Sequence, residues 1–373
     1  MIEKSSRNPA MDIIRCFALF CVVSVHFFLN SGFYDLTVQG PRMFVMVVVR
    51  SAFMVSAPLF IMLSGYLMCN KMPSRNYYCK IVKTLSIYVL ASLCCQAFKG
   101  IYQGEAISVL GTVTDILAFT AAPYSWYVEM YLGLFLLIPY LNILYKNIPS
   151  KKQKQILLFI LLFLTSLPDI TNIYNLFDVH WWRMPSSSSS YANILPDWWI
   201  NLYPITYYYL GSYFREYPLR IRKTANILAI LLVCFVNGTF NYYRSYNATF
   251  IWGKWQDWGS LLNVLQTVLV FNLFAQLNDS HVGNRARSIL SKASDWCFGA
   301  YLVSWIFDQY FYNQLRLLQP VIKLRFNYFI LIVPLVFVFS LCLSAVLNLF
   351  YTFASTCITA LSAKTKKAVH IPH

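Results

Sequence analysis

Pro9-Ala-Met-Asp-Ile-Ile-Arg15-Cys-Phe-Ala-Leu-Phe-Cys-Val-Val-Ser-Val-His26-Phe-Phe-Leu29 is an apolar run that carries an arginine near its start and a histidine deep inside. Its length matches the roughly 20 residues that a helix needs to cross a bilayer. At about 100° per residue, eleven residues return to within about 20°, so a helix puts Arg15 and His26 on one face. Along the axis they stand about 16 Å apart, at 1.5 Å per residue. A titratable imidazole at mid-bilayer depth is costly unless it faces protein or a wet cavity, which makes His26 a functional candidate. A histidine bonded to a neighbouring helix is the plainer alternative, and Arg15 alone is compatible with ordinary snorkelling. Together they offer a long, anionic-headed molecule two points of contact.

The rest of the 373-residue chain supports the membrane reading. It is 58% hydrophobic, 18% aromatic and 12% charged, with a mean hydropathy of +0.53, outside the soluble globular range. Apolar runs predict ten spans, at 10–29, 43–67, 81–98, 126–145, 155–168, 199–214, 226–240, 258–277, 297–313 and 328–353. The expected fold is an all-α integral membrane protein, about ten transmembrane helices around a polar cavity, with both termini cytoplasmic. Residues 1–360 read as one polytopic domain and 361–373 as a short basic tail. No internal repeat of the transporter kind is visible.

The net charge of +16 does not point to nucleic acid. With the N-terminus inside, 20 of the 30 Lys/Arg fall on inner segments and eight on outer loops, while Arg15 and Arg50 lie within spans. That asymmetry is topological and attracts anionic lipid or anionic cytosolic ligands. Ten cysteines show no paired loop spacing, and no Cys/His cluster has metal-ligand spacing, so neither a disulfide framework nor a metal is expected. Lys4 and Arg7 before the first span imitate a signal peptide, but Arg15 interrupts the apolar stretch and no small-x-small cleavage site follows, so the span is retained.

Two further features concern function. The outer stretch 169–198 combines Trp181, Trp182 and Trp198 with Asp169, Asp178, Asp197 and a serine run. Tryptophans gather at membrane interfaces for packing alone, yet such a set can also stack on and hydrogen-bond sugar rings. Within the second span, Arg50 has no snorkelling route and needs an anionic partner. Glu129 is the most natural candidate, at a similar depth from the same surface, and Asp308 is another. Either a structural ion pair or a polar substrate cavity would account for it.

Several motifs then resemble one family. Arg15-x10-His26 is similar to the opening signature of the membrane acyltransferase 3 family. Pro58-Leu-Phe-Ile-Met-Leu-Ser64-Gly65-Tyr66-Leu resembles its second-span ending, and Ser125-Trp126-Tyr127, with Gly133 and Pro139, its fourth-span pattern. Tyr208-Tyr209-Leu210-Gly211 and Phe298-Gly299-Ala300-Tyr301-Leu302 match two later stretches, all in family order. There are two departures. Ser304 stands where members often have a histidine, and Pro58 where many polysaccharide-modifying members have an aspartate. Glu129 and Asp35 are the candidates for the missing acid.

The resemblance implies transfer of an acetyl or other short acyl group from acetyl-CoA to a hydroxyl, sometimes an amine, of a cell-surface glycan or lipid-linked saccharide precursor. The setting it implies is a multi-pass protein of the bacterial plasma membrane, with a homo-oligomer left open. His26 suits the general base, since a neutral imidazole titrates near neutral pH, and acylation of His26 itself is the alternative route. Arg15, with Lys71, Arg75 and Lys80 of the next inner loop, is placed to bind the CoA phosphates. Arg50, Ser64, Trp126, Tyr127, Glu129 and Tyr301 are the expected substrate-binding residues, and Arg15 joins His26 in catalysis. The competing reading is a secondary transporter or glycolipid flippase using the same buried polar residues. Broken helices or inverted repeats would favour that reading.

Overall fold

The first helix, α1 (Pro9–Asn30), starts where the Asn8 side chain accepts from the Ala10 N–H at 2.8 Å. Pro9 takes the position at which a missing N–H costs nothing. The helix stops at Ser31, followed by Gly32 at φ +85°, a conformation that a side chain would strain. The computed structural model describes residues 7–184, 186, 191–277 and 283–369, with backbone only for 358–369.

The second span is broken. α2 (Gly40–Phe53) and α3 (Ser56–Met68) form one 29-residue apolar segment interrupted at Met54 and Val55. Pro58 explains the break, because it has no N–H for the Met54 carbonyl and its ring crowds that oxygen. The Leu59 N–H instead donates to Val55 O at 3.0 Å. Gln266 Nε2 donates to Ala52 O at 2.6 Å and lies 3.4 Å from Ser51 O, satisfying carbonyls at the break.

The short α4 (Arg75–Tyr78) leads into α5 (Ile81–Phe98). Then come α6 (Val109–Leu117), α7 (Trp126–Lys146), α8 (Lys151–Thr165), α9 (Pro168–Thr171) and α10 (Tyr203–Glu216). The chain continues through α11 (Lys223–Arg244), α12 (Leu261–Ala275), α13 (Asn284–Leu318), α14 (Ile322–Arg325) and α15 (Phe329–Val369). Among the described residues there is no strand; isolated bridges pair Thr37 with Thr249 and Val38 with Tyr246 at the loop-bearing end opposite the N-terminus.

Seven segments of the described chain are long and apolar enough to cross a membrane: Pro9–Asn30, Gly40–Met68, Arg75–Gln103, Trp126–Lys146, Lys223–Arg244, Lys254–Ala275 and Ile322–Cys357. They coincide with seven of the ten expected spans. The other three are also helices but of different character. α8 and α10 have 15 and 14 residues. At 1.5 Å per residue these reach only about 22 and 21 Å, less than the roughly 30 Å hydrocarbon core. α13 has 35 residues but is too polar, with Arg285, Arg287, Lys292, Asp295 and Asp308 on it. It packs against α1, α5 and α15, and of these charged side chains Asp308 is buried while Arg285, Lys292 and Asp295, nearer its start, stay exposed.

Two of the family-like motifs are the halves of one helix crossing. A Cβ on Gly65 of α3 would stand 2.0 Å from Tyr208 O, and one on Gly211 of α10 would stand 2.0 Å from Met62 O. The two backbones therefore touch, as small residues permit at membrane helix crossings. Gly299 makes room between α13 and α15 for the Ser344 side chain, whose Oγ a Cβ there would meet. At the C-terminus α15 runs on to Val369, so most of the expected tail continues a helix, and residues 370–373 lie outside the described residues. The same holds for Lys4 and for Ser187–Ser190 of the serine run; Ser186 donates to Tyr246 O at 2.8 Å.

Candidate active site

α1, α3, α7 and α13 enclose a cavity of about 350 Å³. Arg15 and His26 both line it from α1, and Ser56, Ala57, Phe60 and Ser64 line it from one face of α3. Trp126 and Tyr127 of α7 and Tyr301 of α13 complete the wall around His26. Six of the expected site residues, Arg15, His26, Ser64, Trp126, Tyr127 and Tyr301, thus surround one space.

His26 is held from one side only. Its Nδ1 is buried and stands 3.4 Å from Asp308 Oδ2, a charge-pairing distance that is long for a hydrogen bond. The Tyr124 ring lies against the imidazole, 3.8 Å between centroids at 33°. Tyr124 also donates its hydroxyl to Asp308 Oδ2 at 2.8 Å, and Asn30 Nδ2 ties Tyr124 Oη (3.2 Å) to the His26 carbonyl (2.8 Å). Tyr301 donates to the Tyr124 carbonyl and so fixes that residue's backbone. Asp308 is fully buried, whereas the His26 side chain keeps 12% exposure, which leaves Nε2 as the nitrogen turned to the cavity. Ser64 spends its hydroxyl on Phe60 O at 2.9 Å, within its own helix.

At the other end Arg15 meets α13. Its Nη1 donates to Ser294 Oγ at 2.5 Å and lies 3.4 Å from Asp12 Oδ1. Arg7 grips both nearby carboxylates, with contacts of 2.7 to 3.0 Å to Asp12 and of 2.9 and 3.1 Å to Asp295. The acidic groups beside Arg15 therefore already have a cation, and Arg15 retains charge for an anion. Lys71, Arg75 and Lys80 are exposed and do not line the cavity. Lys71 follows closely on Met68, which does line it, and the Lys71 N–H donates to Met68 O at 2.9 Å.

The expected Arg50–Glu129 pair is not formed. Glu129 is exposed on α7, while α2 packs against α11 and α1. Equal depth in two helices says nothing about whether they adjoin. Arg50, fully buried, instead sits among aromatic rings: Nε donates to Tyr34 Oη at 2.8 Å, and the guanidinium lies 4.5 Å from the Phe250 centroid and 4.6 Å from that of Trp252. Cation–π contacts of this desolvated kind contribute up to about 2 kcal/mol each. Asp308, the other candidate partner of Arg50, faces His26. It also stands where the sequence reading looked to Glu129 or Asp35 for an acid to replace the one absent at Pro58. Seven residues separate Tyr301 from Asp308, which returns a helix to within about 20° of the same face, so the spacing already linked this carboxylate to the motif.

Arg244, one of the eight cations that the sequence places on outer loops, is a second buried arginine. At the end of α11 it lies over Trp181 (4.5 Å) and Trp255 (4.7 Å), and donates to Tyr191 Oη at 2.9 Å. The stretch 169–198 therefore splits. Trp181 is core, while Trp182 and Trp198 are exposed. Asp169 is buried, and desolvation pushes its carboxyl up to about 7. Asp197 pairs with Lys254 at 2.6 Å, which holds its carboxyl below the usual range.

The chain matches the family model for an acyltransferase domain over residues 8–349. It matches no curated protein and no solved structure.

Proposed function

The chain belongs to the membrane acyltransferase 3 family, and on that footing we propose that it moves an acetyl or other short acyl group from acyl-CoA to a saccharide hydroxyl. The acceptor class is a cell-surface glycan or lipid-linked precursor at a bacterial plasma membrane. The observation that carries this reading is the single cavity with Arg15 at one end and His26, backed by Asp308, at the other.

A proton on Nδ1, facing Asp308, leaves the Nε2 lone pair toward the cavity. Nε2 takes the proton of the acceptor hydroxyl as its oxygen attacks the thioester carbonyl. The C–S bond then breaks, CoA leaves as thiolate, and the imidazolium returns the proton to sulfur. Asp308 stabilises the transient imidazolium and fixes the ring, as a carboxylate does behind any base of this type. Arg15 binds a phosphate of the donor, with Lys71, Arg75 and Lys80 adding charge around the same end. The pantetheine arm covers the roughly 16 Å from Arg15 to His26.

The break between α2 and α3 is a feature, besides the buried polar residues, that a transport reading would claim. Gln266 caps carbonyls at that break, as expected of a rigid wall, and membership of an acyltransferase family favours transfer. The test is release of free CoA thiol from acetyl-CoA by purified protein, with and without saccharide acceptors. Acceptor-dependent release is expected; saccharide movement across vesicles without thiol release would support the transport reading.

A further inference from the structure

Trp252-Gly-Lys-Trp255-Gln-Asp-Trp258 carries a tryptophan at every third position, in the loop before α12. Trp258 lines the His26 cavity and stacks on Trp126, 4.3 Å between centroids at 17°. Trp252, Gly253, Lys254 and Trp255 line a second cavity of about 310 Å³, together with Tyr191, Asn193 and Asp197. One seven-residue stretch is therefore a wall of both spaces, and the second lies among the loops at the end away from Arg15.

The second cavity has the furniture of a small-ligand site. Its volume falls within the roughly 300–1,000 Å³ of such pockets, and its walls combine aromatic faces with a few polar groups. Trp252 remains 55% exposed although Arg50 and Tyr34 press on its ring at 4.6 and 4.9 Å. A pinned indole with free surface is a ready platform for an amphipathic ring. The Asp197–Lys254 pair keeps 26% and 45% side-chain exposure, so acceptor and donor are both within reach of a ligand. The Asp197 and Lys254 charges offset each other, and the Arg50 and Arg244 guanidiniums lie fully buried behind the Trp252 and Trp255 rings, so the exposed rim itself presents hydrogen-bonding groups with no excess charge.

We propose that this second cavity binds the acceptor saccharide, with an uncharged sugar ring on Trp252 and its hydroxyls on Asn193, Asp197 and Lys254. The shared tryptophan wall then sets the acceptor next to the space where His26 acts. This inference rests on reading the His26 cavity as the acyl-transfer site, and it adds where the acceptor is held. A role for Trp252 as an ordinary interfacial tryptophan predicts no sugar binding at all.

The experiment is saturation-transfer-difference NMR on the full chain in nanodiscs. The probes are the methyl glycosides of glucose, galactose, mannose and N-acetylglucosamine, with methyl glucuronoside as the charged comparison. At least one neutral glycoside should receive saturation at its ring protons. The effect should vanish in Trp252→Ala, fall about tenfold in Lys254→Met, a loss worth about 1.4 kcal/mol, and persist in His26→Ala. Trp252→Phe, which keeps a ring face, should recover part of it and serves if the alanine variant does not fold. No transfer to any neutral glycoside, transfer that survives in folded Trp252→Ala, or a preference for the glucuronoside would overturn the proposal. Acetyl-CoA binding is measured on the same sample. CoA bound without sugar removes only the saccharide site, and sugar bound without CoA removes the acyl-transfer reading.

Discussion

The Tyr124 hydroxyl donates to the same Asp308 oxygen, Oδ2, that stands 3.4 Å from His26 Nδ1. One carboxylate oxygen thus aligns the imidazole and the ring stacked on it, and Asp308 Oδ1 is left buried without a partner. The three side chains come from α1, the turn before α7, and α13, so the base is assembled only when these elements pack.

Asp308→Asn should lower kcat by about 10²-fold or more, within the range of a misoriented or unsupported base, with the KM for acetyl-CoA little changed. Tyr124→Phe, which removes the hydrogen bonds to Asp308 and from Asn30 but keeps the stacked ring, should cost less, about tenfold. Steady-state kinetics on both variants check this. An Asp308→Asn enzyme with wild-type kcat would remove the dyad.

Arg15→Ala should raise the KM for acetyl-CoA by about tenfold or more, the worth of a charge-assisted hydrogen bond, and Arg15→Lys should recover part. The discriminating donor is acetyl-pantetheine, which has no phosphate. Wild type and Arg15→Ala should use it equally well, and an undiminished penalty with that donor would place Arg15 elsewhere in the mechanism.

Gly65→Ala and Gly211→Ala each put a methyl group 2.0 Å from a carbonyl oxygen across the α3–α10 crossing. Each should destabilise the protein by about 1–3 kcal/mol, the usual cost of overpacking, or more, because the obstacle is backbone. Gly133→Ala, inside α7 with nothing within 4 Å, should melt at or slightly above the wild type. Thermal unfolding in one detergent compares the three, and equal midpoints would dissolve the crossing.

Much of this arrangement was legible in the sequence, and its gaps have physical causes. The 3.6-residue period set Arg15 and His26 on one face, and both line the cavity. Apolar length found the seven strongly hydrophobic spans, and the polar α13 was also expected as a helix because its middle reads as apolar. What periodicity along one helix cannot carry is adjacency between helices. Arg50 was therefore matched to Glu129 by depth, although aromatic faces from two loops surround it. The same limit hid the pairing of Asp308 with His26, 282 positions earlier, although Asp308 itself was named as a partner for Arg50. Ser64, expected as a substrate contact, does line the cavity with its hydroxyl bonded to Phe60 O, while the helix-crossing role of the neighbouring Gly65 needs a second helix to be visible.

Asp169 makes stability depend on pH. Burial raises its carboxyl from 3.8 to about 7, so the native state binds the proton more tightly than the unfolded chain does. Stability from the protonated form is complete below about 3.8 and is lost as pH rises through about 7. Asp169→Asn, uncharged throughout, should gain in melting temperature over the wild type across that window and hold a constant advantage above it. A difference that does not change with pH would mean that Asp169 is not held in its raised state.

The central claim is that His26 is the base for acyl transfer. Its most direct measurement is transfer of radiolabelled acetyl from acetyl-CoA to saccharide by purified wild type and His26→Ala, with donor binding followed on the same preparations. The account predicts that the variant binds acetyl-CoA normally and loses transfer by at least about 10²-fold. Near-normal transfer by a folded His26→Ala enzyme would contradict it and leave His26 a packing residue.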